Sequence, residues 1–537
     1  MNDAKLDDAR MNGAMLDDAM LVDAKLNAAK LNDAKLNDAK LDGAKLISSV
    51  SHQRRAGVLL HPTSLPGNLD SGDIGHQAYR FIEFLQASGF KVWQMLPLGM
   101  THEDKSPYQC LSSHAGDPLL ISLDWLEDRG WLKQDTITYC GDSDTHRMIC
   151  LQTASDYFYK NENSQWLTKL QDFKKKHKHW LEDYSLFIAL KTQYKNSPWY
   201  EWPADLRHRE NKSIKSAISK LEIQLNQVVF EQFVFFTQWH EIRDYAKQHG
   251  IELFGDVPIF VARDSADVWA ERQNFLMNSD GDMEFIAGVP PDAFSETGQR
   301  WGNPLYDWEY LQSTEFSWWK ERFKTQLELF DMVRIDHFRG LQACWNIPDI
   351  DDTAINGKWE EVPGKEMLTT LFSTFRDLPL IAEDLGVITD EVVELKNEFS
   401  LPGIKVLQFA FDGNNKNPHL PHNHHPDDLI YTGTHDNDTT LGWIKTVENY
   451  NKNFFQTYVD KHTESNEKSV IEIIRLAMSS VSFLCILPMQ DLLLLDTEHR
   501  MNIPGTVGGN WMWRFDWKQI KPEVLDRVKI FMSIYQR

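Results

Sequence analysis

Residues 332–340, MVRIDHFRG, form an apolar strand that ends in charged residues, and this stretch decides the fold. Side chains alternate between the two faces of a strand, so Arg334 and Asp336 share one face while Val333 and Ile335 pack on the other. An acid beside a guanidinium is either a structural ion pair or a carboxylate kept ionised by a positive charge, as a nucleophile must be. Taken alone, the stretch favours the ion pair, because structural pairs also perturb titration. Acids further along the chain favour the nucleophile.

Seven further apolar runs are similar to this strand. Most are nearly continuous in apolar residues, which is typical of parallel strands buried on both faces. Eight such runs with helical spacers predict an α/β fold, a (β/α)₈ barrel whose chemistry lies at the carboxyl ends of its strands. An open doubly wound sheet is the alternative, but no GxGxxG or GxxxxGK motif accompanies any run. The eight runs begin at Gly57, Val92, Ile251, Met332, Leu378, Gly403, Asp428 and Phe483.

The spacers between these runs are unequal and predict the domain organisation. We expect one catalytic barrel domain over residues 50–537, with insertions at about 120–250 and 263–330. The first insertion contains a mostly helical stretch, Tyr157–Gln248, which predicts a subdomain over the barrel mouth. The second contains the Gly- and Pro-rich run Ala287–Tyr306, which is most simply explained as a lid or binding loop.

The segment 1–49 has a different pattern, in which Leu or Met recurs every five residues over residues 2–46. Five residues advance a helix by about 500°, so the leucines form no stripe, and on a strand they change face at every repeat. The pattern resembles the pentapeptide-repeat family, which implies a short β-solenoid with Leu and Ala inside. A disordered polar tail is the competing interpretation, although we favour the solenoid. The sequence does not identify a protein partner for the repeat.

Composition and charge argue against several classes of partner. A net charge of −23 argues against nucleic acid or an anionic membrane as the main ligand. The chain opens without a signal peptide, and its densest late apolar run is too short to span a bilayer. Five scattered cysteines predict the reducing cytoplasm rather than a disulfide framework or zinc cluster. The histidine-rich stretch His419–His425 is better explained as a solvated loop than as a metal site.

Three acids follow three of the predicted strands: Asp336, Glu383 and Asp436. In a barrel the strand ends converge on one mouth, so these carboxyl groups would meet although they lie far apart in the chain. Like charges at close range raise at least one pKa, which leaves one protonated acid beside one carboxylate. Cleavage of a glycosidic bond uses such a pair. Each acid alone could equally be a strand-end cap, but the three together favour catalysis.

Residues 55–537 resemble the amylomaltases, the 4-alpha-glucanotransferases or disproportionating enzymes, with their motifs in the same order. This resemblance implies a (β/α)₈ barrel and transfer of α-1,4-glucan segments, as maltooligosaccharides, to the 4-OH of an acceptor glucose or dextrin. It also implies a retaining double displacement and no cofactor. The segment 1–49 lies outside the resemblance. The matching motifs are LLHPTSLPG, WQMLPLG, SPYQ, DSADVWA, GVPPDAFSETGQRWGNP, RIDHFRG, AEDLG, YTGTHDNDTT and RMNIPGTVGGNWMWRF.

The same resemblance implies roles for the residues at the strand ends. Asp336 corresponds to the nucleophile and Arg334 to the cation that positions it. Glu383 corresponds to the general acid/base. Asp436 corresponds to the carboxylate that stabilises the transition state, with His435 beside it. Asp384 follows Glu383 and, by strand alternation, should point away from the sugar as structural support.

Further residues are expected to line the cleft. Tyr108 resembles the residue that lines the donor subsite, and Asp256 and Trp301 are expected nearby. The loop with Phe294 and Glu296 resembles the flexible acceptor-side loop. The nearest rival function is a retaining hydrolase of the α-amylase kind, which shares the acids but transfers to water. A glycan-binding protein without activity and an interaction protein built on the repeat are rivals from other classes.

Overall fold

The computed structural model describes most of the chain outside the N-terminal repeat. The solenoid and the disordered tail predicted for residues 1–49 therefore fall almost wholly outside it, as does Phe294. Residues 48–537 form one compact unit, within which short gaps remain. The described residues are 48–67, 71–137, 143–161, 164–291, 295–460, 465–506 and 508–537.

Eight parallel strands form the central sheet; seven lie within the predicted runs, and β1 overlaps the first run but begins two residues before it. Consecutive strands among these eight pair with each other except β9 and β10, and the last, β12, pairs with the first, β1. A backbone hydrogen bond of 2.8 Å from Ala382 to Pro402 joins the two strands at the ends of that order. The predicted α/β barrel is confirmed, because an open doubly wound sheet does not return from its last strand to its first. The strands are β1 (Arg55–Leu59), β2 (Val92–Gln94), β3 (Glu252–Pro258), β6 (Met332–Asp336), β9 (Leu380–Ala382), β10 (Ile404–Val406), β11 (Leu429–Tyr431) and β12 (Leu484–Pro488).

Strand register places the polar residues of β3 and β6 side by side. Asp256 on β3 is the partner of Arg334 on β6, and Pro258 is the partner of Asp336. On its other side β6 pairs with β9, so that Glu383, the residue after β9, follows directly on the pair Ile335 and Ala382. The residues of β9, β11 and β12 are wholly buried, as expected for parallel strands covered on both faces.

Four more strands form a second, antiparallel sheet, β4 (Phe285–Val289), β5 (Gln299–Pro304), β7 (Ala343–Pro348) and β8 (Lys358–Glu361), in the order β5-β4-β7-β8. The prediction of a lid or binding loop over Ala287–Tyr306 is thus wrong in part, since much of that run belongs to β4 and β5. No local pattern in the sequence indicates this sheet, because the hairpin of β4 and β5 is completed by β7 and β8 from beyond β6.

Nineteen α-helices are present among the described residues, joined by loops and short 3-10 turns. The stretch expected to be helical, 157–248, is mostly helical. Its last helix, α9, runs for 27 residues and packs against α1, α4, α6 and β3. The helices are α1 (His76–Ser88), α2 (Leu123–Asp128), α3 (Gln134–Ile137), α4 (Ser143–Asn161), α5 (Ser164–Lys176), α6 (Lys178–Gln193), α7 (Ala204–Arg207), α8 (Asn211–Lys220), α9 (Glu222–Gln248), α10 (Ala266–Ala270), α11 (Trp308–Ser313), α12 (Ser317–Leu329), α13 (Gly364–Thr374), α14 (Asp390–Glu398), α15 (Thr440–Thr446), α16 (Asn449–Tyr458), α17 (Asn466–Ser479), α18 (Met489–Leu492) and α19 (Pro522–Tyr535).

Among the described residues, no helix combines the length and the apolar composition that crossing a bilayer requires.

Candidate active site

The end of β6 carries a guanidinium between two carboxylates. Arg334 bonds Asp256 with one terminal nitrogen and Asp336 with the other, the second contact at 2.8 Å. Arg334 and Asp256 are buried, whereas the Asp336 side chain keeps 28% of its surface exposed. Burial opposes the charge of Arg334, but the two carboxylates outweigh it and raise its pKa. Arg334 is therefore a fixed cation that directs one oxygen of Asp336.

Glu383, after β9, is held by two backbone amides. The N–H of His337 donates to one carboxyl oxygen at 2.7 Å and the N–H of Leu385 donates to the other at 3.0 Å. His337 directly follows Asp336 and has a left-handed backbone, with φ at 52°. That conformation is uncommon for a residue with a side chain and recurs at functional sites. The N–H after one acid thus orients the other acid.

Asp336 and Glu383 differ in pKa, and Glu383 has the higher value. Burial raises the pKa of Asp336 to about 6, although Arg334 pulls it down. Burial raises the pKa of Glu383 to about 8, and the charge of Asp336 adds to this, while Arg334 and the two amides oppose it. Between these values Glu383 holds a proton and Asp336 is a carboxylate. One acid and one base at adjacent strand ends are what glycosidic-bond cleavage requires.

Asp436 lies on the loop after β11 and is held from several sides. His435 Nε2 lies 3.3 Å from one of its carboxylate oxygens, and the Asn502 amide donates to the other at 2.6 Å. Arg500 donates to its backbone carbonyl at 2.9 Å. Desolvation opposes ionisation of this half-exposed side chain, but His435 and Asn502 outweigh it and lower the pKa of Asp436 to about 2. Asp436 is consequently a permanent negative charge.

Three rings join this acid to the Arg334 network. Tyr108 donates its hydroxyl to Asp256 at 2.7 Å and stacks on His435, with ring centroids 5.2 Å apart. Trp511 packs against both rings, at 6.0 and 5.9 Å. Burial opposes the charge of His435, but Asp436 outweighs it and raises its pKa. Contacts therefore run without a break from Asp336 through Tyr108 to Asp436.

The acceptor-side predictions fare differently from one another. Trp301 packs edge-on against His337, with ring centroids 4.9 Å apart, and so lies beside the acids. Glu296 is exposed on the turn 295–298, and within the described part of the chain no contact joins it to the acids. Phe294 lies outside the described residues. Asp384 does point away from the cleft, where it bonds Lys396 at 2.6 Å and the N–H of Ile404 at 2.7 Å.

Trp511, Arg500 and Asn502 contribute to the site, but the sequence predicted no role for them. Trp511 follows a Gly-Gly-Asn run and has a left-handed backbone, with φ at 64°. Arg500 and Asn502 lie in a motif that matches the family, yet nothing in their spacing connects them with Asp436. Such contacts depend on how the segment after β12 folds back over the mouth.

The histidine-rich stretch is more ordered than expected. His424 is buried, and its Nδ1 lies 2.7 Å from the Ser480 hydroxyl. His419 accepts the N–H of Val406 at 3.2 Å. The expectation of a solvated loop is therefore wrong for His424. Within the described residues, no group of three or more His, Cys, Asp or Glu side chains is arranged to hold a metal ion.

Comparison with known proteins identifies the family. A family model described as 4-alpha-glucanotransferase matches residues 60–519. The chain belongs to the 4-alpha-glucanotransferase family. A pentapeptide-repeat model also matches, in eight copies over residues 1–33 and 19–49, which confirms the resemblance of the N-terminal segment.

Members of the 4-alpha-glucanotransferase family are similar over nearly their whole length. The 4-alpha-glucanotransferase of Thermus thermophilus is 43% identical over 496 residues, which cover 90% of this chain and 99% of that protein. The 4-alpha-glucanotransferase of Synechocystis is 43% identical over 498 residues, 90% and 98% of the two chains. The amylomaltase of Streptococcus agalactiae, solved in complex with acarbose, has a TM-score of 0.87 at 35% identity, covering 90% of this chain and 100% of its own. As a member of this family, the protein is an enzyme.

Proposed function

We propose that this enzyme transfers a maltooligosaccharide segment from an α-1,4-glucan to the 4-OH of an acceptor glucose or dextrin, by a retaining double displacement. One observation carries the mechanism. Asp336 and Glu383 end two adjacent parallel strands, β6 and β9, and are joined through the N–H of His337. Neighbouring strands lie about 4.8 Å apart, which suits the carboxyl separation of about 5–5.5 Å in retaining enzymes.

In the first step the bond between C1 and the glycosidic oxygen breaks. The Asp336 carboxylate attacks C1 while Glu383 gives its proton to the departing oxygen. The product is a glycosyl ester on Asp336 and a shortened glucan with a free 4-OH. The pKa values of about 6 and about 8 support this division, because they keep Asp336 ionised and Glu383 protonated near neutral pH.

In the second step the acceptor replaces the departed glucan. The acceptor 4-OH gives its proton to the Glu383 carboxylate and attacks C1, and the bond between C1 and Asp336 breaks. The anomeric configuration is inverted twice and so retained. The hydrogen bonds that the backbone N–H groups of His337 and Leu385 donate to Glu383 support this role, because they stabilise its carboxylate between the two steps.

The remaining residues bind the sugar or stabilise charge. Asp436, held ionised by His435, stabilises the positive charge that develops at C1. Arg334 holds the Asp336 carboxylate in place and is itself anchored by its ion pair with Asp256. Tyr108 offers a ring face to the donor sugar. Acarbose, which the Streptococcus agalactiae amylomaltase binds, is an oligosaccharide analogue, and this supports α-1,4-glucans as ligands here.

Transfer rather than hydrolysis requires that an acceptor sugar is held in line in place of water. We assign this to Trp301 on β5 and to the segment before that strand, with Phe294 and Glu296 contacting the acceptor. The position of Trp301 beside His337 supports the assignment. A hydrolase of the α-amylase kind, with the same acids, is the alternative.

Incubation with maltotriose tests the proposal. Separation of the products should give glucose together with maltooligosaccharides longer than the substrate, and Asp336→Ala should abolish both. Glucose and maltose without longer products would identify a hydrolase instead. Asp428→Asn, at the opposite end of β11 from the acids, is a control for folding and should keep the product pattern.

The domain limits and the compartment are further proposals. We assign residues 50–537 to the catalytic barrel, with insertions at about 120–250 and 263–330, and residues 1–49 to a repeat appended to it. The four cysteines in the described part of the chain are free, and this supports a cytoplasmic location.

A further inference from the structure

A buried carboxylate outside the catalytic acids has an unusual set of partners. Asp491 lies on α18, directly after β12, and is 1% exposed. One of its oxygens accepts the hydroxyls of Thr432 at 2.5 Å and Thr440 at 2.6 Å. The other oxygen accepts the backbone N–H of Thr440 at 2.8 Å. Three donors thus converge on a side chain that does not touch the catalytic acids.

The two threonines mark the ends of the loop that carries Asp436. Thr432 is the first residue after β11, and Thr440 is the first residue of α15. Between them lie residues 433–439, hereafter the catalytic loop, with His435 and Asp436 near the middle. One carboxylate, from the helix α18 that directly follows β12, therefore fixes both ends of the loop at once.

Side chains leave a small cavity on one side of the catalytic loop. A cavity of about 30 Å³ is lined by His435, Asp438, Asp491 and His61. The Nδ1 atom of His61 is buried and makes no hydrogen bond within the described part of the chain. Gln408, which donates to the Asp438 carbonyl at 2.8 Å, braces the loop from another side. Because side chains leave this space beside His435 unfilled, hydrogen bonds contribute to setting the position of the loop.

Ionised aspartate is the side chain that suits these three donors. A carboxylate offers only acceptors, so both hydroxyls and the N–H can donate to it. An asparagine of the same size would have to turn its amide hydrogens toward the two hydroxyls, whose own protons would then lose their acceptor, and it would remove the negative charge that strengthens all three bonds. Asp491→Asn therefore weakens the bonds at both ends of the catalytic loop while leaving the volume of the side chain almost unchanged.

We propose that Asp491 is a positioning residue of the transfer reaction, which holds Asp436 and His435 against the sugar by tying Thr432 to Thr440. The proposal rests on the role assigned to Asp436 under the proposed function. Misplacement of a reacting group by about 1 Å can reduce a rate by about a hundredfold. Because Asp491 does not line the sugar, its loss should affect turnover more than ground-state binding.

Asp491→Asn should lower kcat on maltotriose about 10- to 100-fold and change KM by no more than about twofold. The matched control is Asp428→Asn. Asp428 is also a buried aspartate, 6% exposed, and adjoins β11 at the end opposite the catalytic loop. The control should retain kcat. Equal loss of kcat in the two variants, or normal kcat in Asp491→Asn, would overturn the proposal.

A double-mutant cycle separates positioning from general destabilisation. If Asp491 acts through Asp436, adding Asp491→Asn to Asp436→Asn should reduce the residual kcat by less than about threefold, whereas independent effects would multiply. Full additivity overturns the proposal. A fully active Asp436→Asn would instead refute the role given to Asp436. Should Asp491→Asn fail to fold, Thr432→Val removes one donor only, and unchanged kcat there also counts against the proposal.

Discussion

At the scale of single residues, Arg334 favours the ionised form of Asp336. Its two terminal nitrogens contact Asp256 and Asp336, so one side chain pairs with two carboxylates in fixed directions. Lysine has one compact charge and cannot reproduce this fork. Arg334 lowers the pKa of Asp336 against the larger effect of burial, so loss of the fork should raise that pKa.

Arg334→Lys should therefore lower kcat/KM on maltotriose by about a hundredfold and move the acid limb of its pH profile to higher pH. Arg243→Lys is the matched control, since Arg243 bonds Asp331 at 3.0 Å and backbone carbonyls at the end of α12. It should keep both the rate and the profile. An acid limb at the wild-type pH in Arg334→Lys would show that Arg334 does not hold Asp336 ionised.

The two acids also predict the pH dependence of the wild-type enzyme. The pKa of Asp336, about 6, is raised, so the carboxylate form is lost as the pH falls through that value. The pKa of Glu383, about 8, is raised too, so the acid form is lost as the pH rises through it. A plot of kcat/KM against pH should be bell-shaped between these limits, which belong to the pair rather than to single residues. A rate that stays constant up to pH 10 would contradict the assignment of Glu383 as the acid.

At the scale of elements, the sequence predicted what is local and missed what depends on distant pairing. All eight barrel strands lie within or overlap apolar runs, because a strand buried on both faces needs such a run. The antiparallel sheet escaped prediction because its strands have mixed exposure, and β8 alternates little between apolar and polar residues. The acids were predictable since each follows a barrel strand, whereas Trp511 and Asn502 reach the site from an irregular segment.

This second sheet positions the turn 295–298, which carries Glu296 and which we propose contacts the acceptor. The Ser295 hydroxyl closes the turn 295–298 by donating to the Gly298 carbonyl at 2.7 Å, and the N–H of Ala354 donates to the Thr297 carbonyl at 3.0 Å. Gly298 has φ at 69°, and a Cβ there would lie 2.5 Å from the Val289 carbonyl oxygen. The turn therefore fits against β4 only if residue 298 is glycine.

Gly298→Ala should displace the turn that presents Glu296 and raise the ratio of hydrolysis to transfer severalfold, while bond cleavage continues. Gly250→Ala is the control, because Gly250 has φ at 67° with no atom within 4 Å of the added Cβ. Both variants bear the backbone cost of a left-handed alanine, about 1–2 kcal/mol, but only the first bears the clash. Free glucose and longer products from maltotriose give the ratio. A ratio equal to that of Gly250→Ala would remove the turn from acceptor binding.

At the scale of the whole molecule, the barrel and the repeat are separate units of the sequence. The family model for the enzyme begins at residue 60, and the repeat model ends at residue 49. The last two residues of the repeat match, Ser48 and Ser49, and the residues between the two models belong structurally to the barrel. Ser48 donates its N–H to the Phe399 carbonyl at 3.0 Å and its hydroxyl to the Leu380 carbonyl at 2.9 Å. Arg54 donates to the Ser480 carbonyl at 2.7 Å. A clean deletion must therefore end before Ser48.

Deletion of residues 2–46 should leave kcat and KM on maltotriose within about twofold of the intact chain, because every acid and ring of the site comes from residues 108–511. Deletion of residues 2–54 is the contrasting variant. It also removes the bonds of Ser48 and Arg54 to the barrel, so its thermal unfolding midpoint should fall by several degrees. Both are checked by initial rates and thermal unfolding. If the shorter deletion folded with an unchanged midpoint yet lost turnover, the repeat would contribute directly to the cleft, and the appended arrangement proposed for residues 1–49 would be wrong.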